Sequence, residues 1–135
     1  MLGAFSEDPQ VMIIDDVPAT RMLLRDMLGE MGYATIVEAG TSHEALAQLK
    51  KKRAKLIICD YVMEDGSGLD FVRELRSHPY LEDVPVIIVS SCSDVPVIEA
   101  ALELGADDYL VKPISFKLLS QKIRDVLQRR ALLAK

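Results

Sequence analysis

Three carboxylates, one hydroxyl and one ammonium close four short apolar runs. Ile13-Ile14 leads into Asp15-Asp16, and Leu56-Ile57-Ile58-Cys59 leads into Asp60. Val86-Ile87-Ile88-Val89 leads into Ser90, and Tyr109-Leu110-Val111 leads into Lys112. Carboxylates gathered in one place repel each other, and a divalent cation relieves that repulsion. All-oxygen donors favour Mg2+ or Ca2+. Mg2+ keeps several waters and takes one or two carboxylates together with a substrate phosphate, which suits an open site beside an ammonium better than a closed Ca2+ cage. A carboxylate can also attack phosphorus and become an aspartyl-phosphate. In that reaction the cation and Lys112 neutralise the phosphoryl oxygens, and Ser90 donates a hydrogen bond to the attached phosphate.

The elements that must position these groups are legible around them. Short continuous apolar runs bounded by turn signals predict strands buried on both faces, here over residues 10–15, 35–39, 56–60, 86–89 and 108–111. Helices are expected between them. Pro18 suits a first helical turn, Leu23, Leu24, Met27, Leu28 and Met31 recur at helical spacing, and Gly32 stops the run. Thr41-Ser42-His43-Glu44 has capping-box spacing ahead of Ala45, Leu46 and Leu49, and the cations at 50–53 close that helix. Ser67 caps a helix through Leu69, Val72 and Leu75 that Pro79 ends. Ser93-Asp94 opens a helix through Val97, Ala101 and Leu104, closed by Gly105. Ser115 caps the last one, through Leu119, Ile123, Val126 and Leu127.

Five strands alternating with five helices predict an α/β fold with a doubly wound, five-stranded parallel sheet, flavodoxin-like in the order 2-1-3-4-5. That order sets the first and third strands side by side, so Asp15, Asp16 and Asp60 become neighbours. They lie at the carboxyl ends of the strands, where open α/β sheets bind ligands.

Composition bounds the function. The 135 residues suit one domain, read as an arm over 1–9, a domain over 10–130 and a tail over 131–135. A net charge of −5 speaks against direct binding of nucleic acid, which needs a basic face. No apolar run is long enough for a membrane span, and residues 1–8 lack the basic and apolar regions of a signal peptide. A cytoplasmic setting is therefore expected, with Cys59 and Cys92 reduced. Cys59 reads as a small core residue, His43 and His78 as surface residues, and Lys50 to Arg53 as a solvated helix end.

Ile14-Asp15-Asp16, the strand ending at Asp60, Met63 with Gly68, Ser90, and Lys112-Pro113 occur in this order at successive strand ends. On these residues the sequence resembles the response-regulator receiver domain of bacterial two-component signalling, in particular the single-domain chemotaxis receivers, over residues 10–129. The resemblance implies that Asp60 is the phosphoacceptor. It implies that Asp16, Asp60 and the backbone carbonyl of Val62 bind Mg2+ directly, with Asp15 acting through water. Ser90 and Lys112 would contact the phosphoryl group, and Lys112-Pro113 would be a cis peptide. Tyr109 falls on the position of the family's switch aromatic. Period-2 alternation sets it on the opposite face from Lys112, so it is expected on an outer face, turning inward when Ser90 moves toward phosphate. The surface made by the helix over 94–104, the strand over 108–111 and the last helix would then change shape.

The function so implied is a phosphorylation-dependent switch, regulatory rather than enzymatic, with self-catalysed phosphotransfer and autodephosphorylation. Its partners would be a sensor histidine kinase and either a downstream target protein or a second copy of the chain. The length leaves no room for an output domain, which implies a stand-alone chemotaxis-type regulator. The alternative is a receiver excised from a longer regulator or hybrid kinase. A phosphatase with an aspartate nucleophile commonly carries a second acid two residues on, where this chain has Val62. A flavin carrier needs small donors after the first strand, where this chain has two acids. Four positions depart from common family usage: Glu64 replaces a frequent proline, Ser91 a frequent alanine, Val62 a frequent polar residue, and Cys92 lies two residues after Ser90. Positions 62 and 92 border the phosphate in the family and tune its lifetime.

Overall fold

The computed structural model describes residues 9–133. Each of the expected strands forms, as β1 (Val11–Ile14), β2 (Ile36–Ala39), β3 (Ile57–Cys59), β4 (Val86–Ser90) and β5 (Asp108–Val111). Between and after them run α1 (Pro18–Glu30), α2 (Ser42–Lys51), α3 (Gly68–Ser77), α4 (Val95–Leu104) and α5 (Phe116–Leu133). The five strands pair in parallel in the order β2-β1-β3-β4-β5, as the sequence predicts. One element was not foreseen. Val62–Met63 and Gly66–Ser67 pair antiparallel as a small hairpin directly after Asp60.

The central strands β1, β3 and β4 are almost wholly apolar because helices cover both faces. Met12, Ile14, Ile57, Cys59, Val86 and Ile88 pack with Leu49 of α2, Phe71 and Leu75 of α3 and Ala101 of α4. The alternate residues Val11, Ile13, Ile58, Ile87 and Val89 pack with Leu24 and Leu28 of α1 and with Leu119, Ile123 and Val126 of α5. The sheet thus divides two cores. Leu23, expected on the buried stripe of α1, is 45 % exposed. One residue turns the helix by about 100°, so a stripe centred on Leu24 and Leu28 leaves Leu23 at its edge.

The local stops and starts follow the chemistry of the termini. Thr41 accepts the Glu44 N–H at 3.1 Å and Ser67 accepts the Asp70 N–H at 3.2 Å, as N-caps do. At the end of α4, Gly105 has φ 115°, its N–H reaches Leu102 O, and Ala106 N–H reaches Ala101 O. Gly32 closes α1 by the same pattern, at φ 103°. Only glycine holds this left-handed position without cost.

At the amino edge of the sheet, opposite the ends that carry the acids, a charged cluster fastens four elements. Asp107 accepts from Arg76 of α3 at 3.1 Å, from Arg130 of α5 at 2.8 and 3.0 Å, and from the N–H of Val86 at 2.8 Å. Arg76 also donates to the carbonyls of Gly105, Glu82 and Val84.

Helix α5 runs back along the sheet from the acidic edge and ends beside this cluster, where Arg129 reaches Asp107 O. The chain also enters at that edge, Pro9 O accepting the Lys55 N–H at 3.0 Å. Of the arm expected over 1–9, only Pro9 lies among the described residues, and it is buried. The tail expected over 131–135 begins as helix instead, through Leu133. Alanine and leucine are good helix formers and continue the turn; positions 134–135 lie outside the described residues.

Candidate functional site

The register of the sheet brings the acids together. Ile14 of β1 stands level with Cys59 of β3, so Asp15 and Asp60 emerge abreast, and the Asp60 N–H donates to Ile14 O at 2.9 Å. Side-chain oxygens of Asp15, Asp16 and Asp60 all lie within 4.8 Å of one another. Ser90 ends β4, and the N–H of Lys112, just past β5, donates to Ser90 O at 2.8 Å. The Lys112 side chain returns across the sheet edge, where Nζ stands 3.3 Å from Asp15 Oδ2 and 3.3 Å from Asp60 Oδ2. Lys112-Pro113 is a cis peptide. All the acids and the lysine expected at the site therefore converge.

Each group is oriented by the backbone around it. Asp60 Oδ1 accepts the Tyr61 N–H at 2.6 Å and the Val62 N–H at 3.4 Å. Asp15 Oδ1 accepts the Val17 N–H at 2.8 Å, and its carbonyl accepts from the Arg21 guanidinium, itself held by Glu38. Burial pushes the Asp15 carboxyl above its ordinary value, against the Val17 N–H and Lys112, which pull it down.

One ammonium cannot neutralise three converging carboxylates, two of which (Asp15 and Asp60) belong to buried residues. The donors are hard oxygens on one open edge, and they fit a hydrated Mg2+. Asp16→Asn should weaken Mg2+ binding by about tenfold or more, since so few protein ligands are available. Titration of Mg2+ followed by amide chemical shifts would measure it, and an unchanged affinity would exclude Asp16 from the ligand set.

Gly68 is the other residue the site depends on at close range. It begins α3, and its N–H donates to Tyr61 O at 2.5 Å. A Cβ here would collide with the Asp60 carbonyl oxygen and stand 3.1 Å from Tyr61 Cα. Backbone, not a flexible side chain, is what it would meet. Gly68→Ala should therefore cost about 1–3 kcal/mol of stability, the range for overpacking a tight site. It should also displace the Asp60 peptide. Urea unfolding would read the first and the Asp60 and Tyr61 amide shifts the second; wild-type values for both would show that the contact yields freely.

Tyr109 departs from its expected place. It is buried rather than on an outer face, on the side of the sheet packed by α2, α3 and α4. Its hydroxyl donates to Cys92 O at 2.7 Å, and this partner together with the apolar packing holds the ring inside. Burial raises the hydroxyl's pKa above its ordinary value. Ser90 Oγ accepts the N–H of the same Cys92 at 3.2 Å. Ser90 and Tyr109 thus meet through the backbone of one residue. Cys92 is half-buried, while Cys59 is fully buried, which pushes its thiol well above the ordinary range. His43 is exposed and His78 half-buried, neither in a metal-binding group among the described residues.

Reading the sequence missed Asp65. From the turn of the hairpin it accepts the Ser42 and His43 N–H groups of α2. The only sequence signal for it is the Asp65-Gly66 pair, a hairpin-turn dipeptide.

The response regulator receiver domain model matches residues 11–124. A probable transcriptional regulator ycf27 of Porphyridium aerugineum is 38% identical over 120 residues, covering 89% of this chain and 48% of the relative. The chain thus spans about half the length of that relative. A chemotaxis protein CheY homolog of Campylobacter jejuni is 30% identical over 119 residues, covering 87% of this chain and 92% of the relative. Among solved structures, a putative response regulator from Chloroflexus aurantiacus superposes with a TM-score of 0.84 at 27% identity, over 90% of this chain and 99% of that one.

Proposed function

Because the chain belongs to the response regulator receiver family, we propose that it is a switch that takes a phosphoryl group from a sensor histidine kinase onto Asp60 and signals the change by binding a partner. The observation that carries this reading is Lys112 Nζ bridging the buried Asp15 and Asp60 carboxylates, with Asp16 beside them. Asp16, Asp60 and the Val62 carbonyl would hold a Mg2+ ion, with Asp15 close by, and the ion would supply charge neutralisation for the phosphoryl oxygens. Lys112, 3.3 Å from Asp60 Oδ2, would meet the same developing charge. An Asp60 oxygen forms the new bond to phosphorus as the phosphorus–nitrogen bond of the donor histidine breaks, and the imidazole leaves with a proton from solvent. Ser90 then donates its hydroxyl to the phosphate.

The shared Cys92 backbone supports a route outward. A shift of Ser90 alters what the Tyr109 hydroxyl holds, and Tyr109 packs in the same core as Ala101 of α4. The exposed Val95 and Leu102 of α4, Val111 of β5, and Phe116 and Leu118 of α5 support this face as the surface read by a downstream protein or a second copy. The net charge argues against nucleic acid as a direct partner. Among the described residues no helix is long and apolar enough to cross a membrane, in keeping with a cytoplasmic role.

The near-complete overlap with the Campylobacter chemotaxis homolog supports a stand-alone, chemotaxis-type regulator. The half-length overlap with the longer transcriptional regulator favours a second reading, a receiver belonging to a larger protein. The mass of the native gene product separates the two. The phosphoacceptor reading is tested by incubation with Mg2+ and acetyl phosphate followed by intact mass. A gain of one phosphoryl group is expected, and no gain would overturn it.

A further inference from the structure

A backbone carbonyl used as a metal ligand cannot be aimed by a rotamer; the loop that carries it must be held. The loop after Asp60 is tied at its base by the Gly68 N–H on Tyr61 O, by the Val62–Ser67 and Met63–Gly66 pairing, and by the buried Met63. A two-stranded hairpin this short is not stable alone, and its tip, Glu64 and Asp65, is exposed.

The tip is tied elsewhere. Asp65 Oδ1 accepts the Ser42 N–H at 3.1 Å, and Oδ2 accepts Ser42 Oγ–H at 3.0 Å and the His43 N–H at 2.9 Å. These backbone donors are orphans of the first turn of α2, at the positive end of its dipole. Thr41 already caps that helix locally through the Glu44 N–H. The helix therefore has its own start signal, and the hairpin is the partner that gains a fixed point.

We propose that Asp65 is a positioning residue for cation binding, using the N-terminus of α2 as an anchor that holds the hairpin and with it the Val62 carbonyl. The inference rests on the reading of Asp15, Asp16, Asp60 and Val62 as the Mg2+ site. The test is a titration of the isotopically labelled chain with Mg2+ alone, followed by amide shifts around Asp60 and Val62. Asp65→Ala should bind about tenfold more weakly, the lower end of the range for groups that orient a ligand. Ser42→Ala removes a neutral donor and no charge, and should weaken binding about twofold to threefold. The double variant should be no weaker than Asp65→Ala, because both changes cut one anchor. Glu64→Gln removes the adjacent carboxylate, which has no hydrogen-bond partner among the described residues, and should leave the affinity unchanged.

Wild-type affinity in both Asp65→Ala and Ser42→Ala would overturn the proposal. So would strict additivity in the double variant, or an equal loss in Glu64→Gln, which would reduce the effect to charge. Absence of any saturable shift in the wild type would instead overturn the Mg2+ reading, and the proposal with it.

Discussion

Asp60→Asn should take up no phosphate from acetyl phosphate and Mg2+, and without divalent cations it should be harder to unfold than the wild type. The amide of asparagine is not a nucleophile toward phosphorus, so the chemical loss is complete. Its carbonyl oxygen can still accept the Tyr61 N–H that now holds Asp60 at 2.6 Å, so the local shape survives. What disappears is one of three carboxylates forced together. Lys112 keeps Asp15 as a partner at 3.3 Å. The expected gain is about 1 kcal/mol, the usual size when a strained functional group is neutralised. Urea unfolding in a chelator would read it, and added Mg2+ should shrink the gap by stabilising the wild type more. Phosphate on the variant, or a lower urea midpoint, would refute the assignment.

The largest loss of stability is expected far from the chemistry. Asp107→Ala should lower unfolding free energy by about 3 kcal/mol, because removing one partner of a largely buried ion pair leaves the others uncompensated. Arg76 and Arg130 would face each other with no carboxylate between them, and the Val86 N–H would lose its acceptor. The Asp107 side chain is only 10% exposed, so water replaces little of what is lost. Asp107→Asn keeps an acceptor for Val86 and should cost less. Both variants should still be phosphorylated, since the cluster lies at the edge of the sheet away from Asp60. A change below about 1 kcal/mol in Asp107→Ala, the level of an exposed pair, would show that the cluster is solvated.

These two cases mark what the sequence makes legible. Strand ends at Asp15, Asp60, Ser90 and Lys112 are readable because each closes a continuous apolar run, and strand order follows from alternation with helices. Caps at Thr41, Ser67 and Gly105 were readable because capping is local. The Arg76–Asp107–Arg130 cluster was not, because its members lie 31 and 23 residues apart and share no period. Asp65 on α2 escaped for the same reason, its partners lying 22 and 23 residues back. Tyr109 lies on the expected strand but is buried rather than on an outer face. Alternation gives which residues share a face, and only the packing shows that Tyr109 of this edge strand is covered by the core that α2, α3 and α4 build on its side.

The direction of α5 has a practical consequence. The helix carries the chain about 27 Å at 1.5 Å per residue, from the acidic edge back to the edge where Pro9 enters. A bead, a sensor chip or a fluorescent protein joined at position 9 or position 133 is therefore joined to the base of the molecule. An immobilised chain would turn its acidic mouth to the bulk solution, so kinase docking and cation binding can be measured on a surface with the tether out of the way.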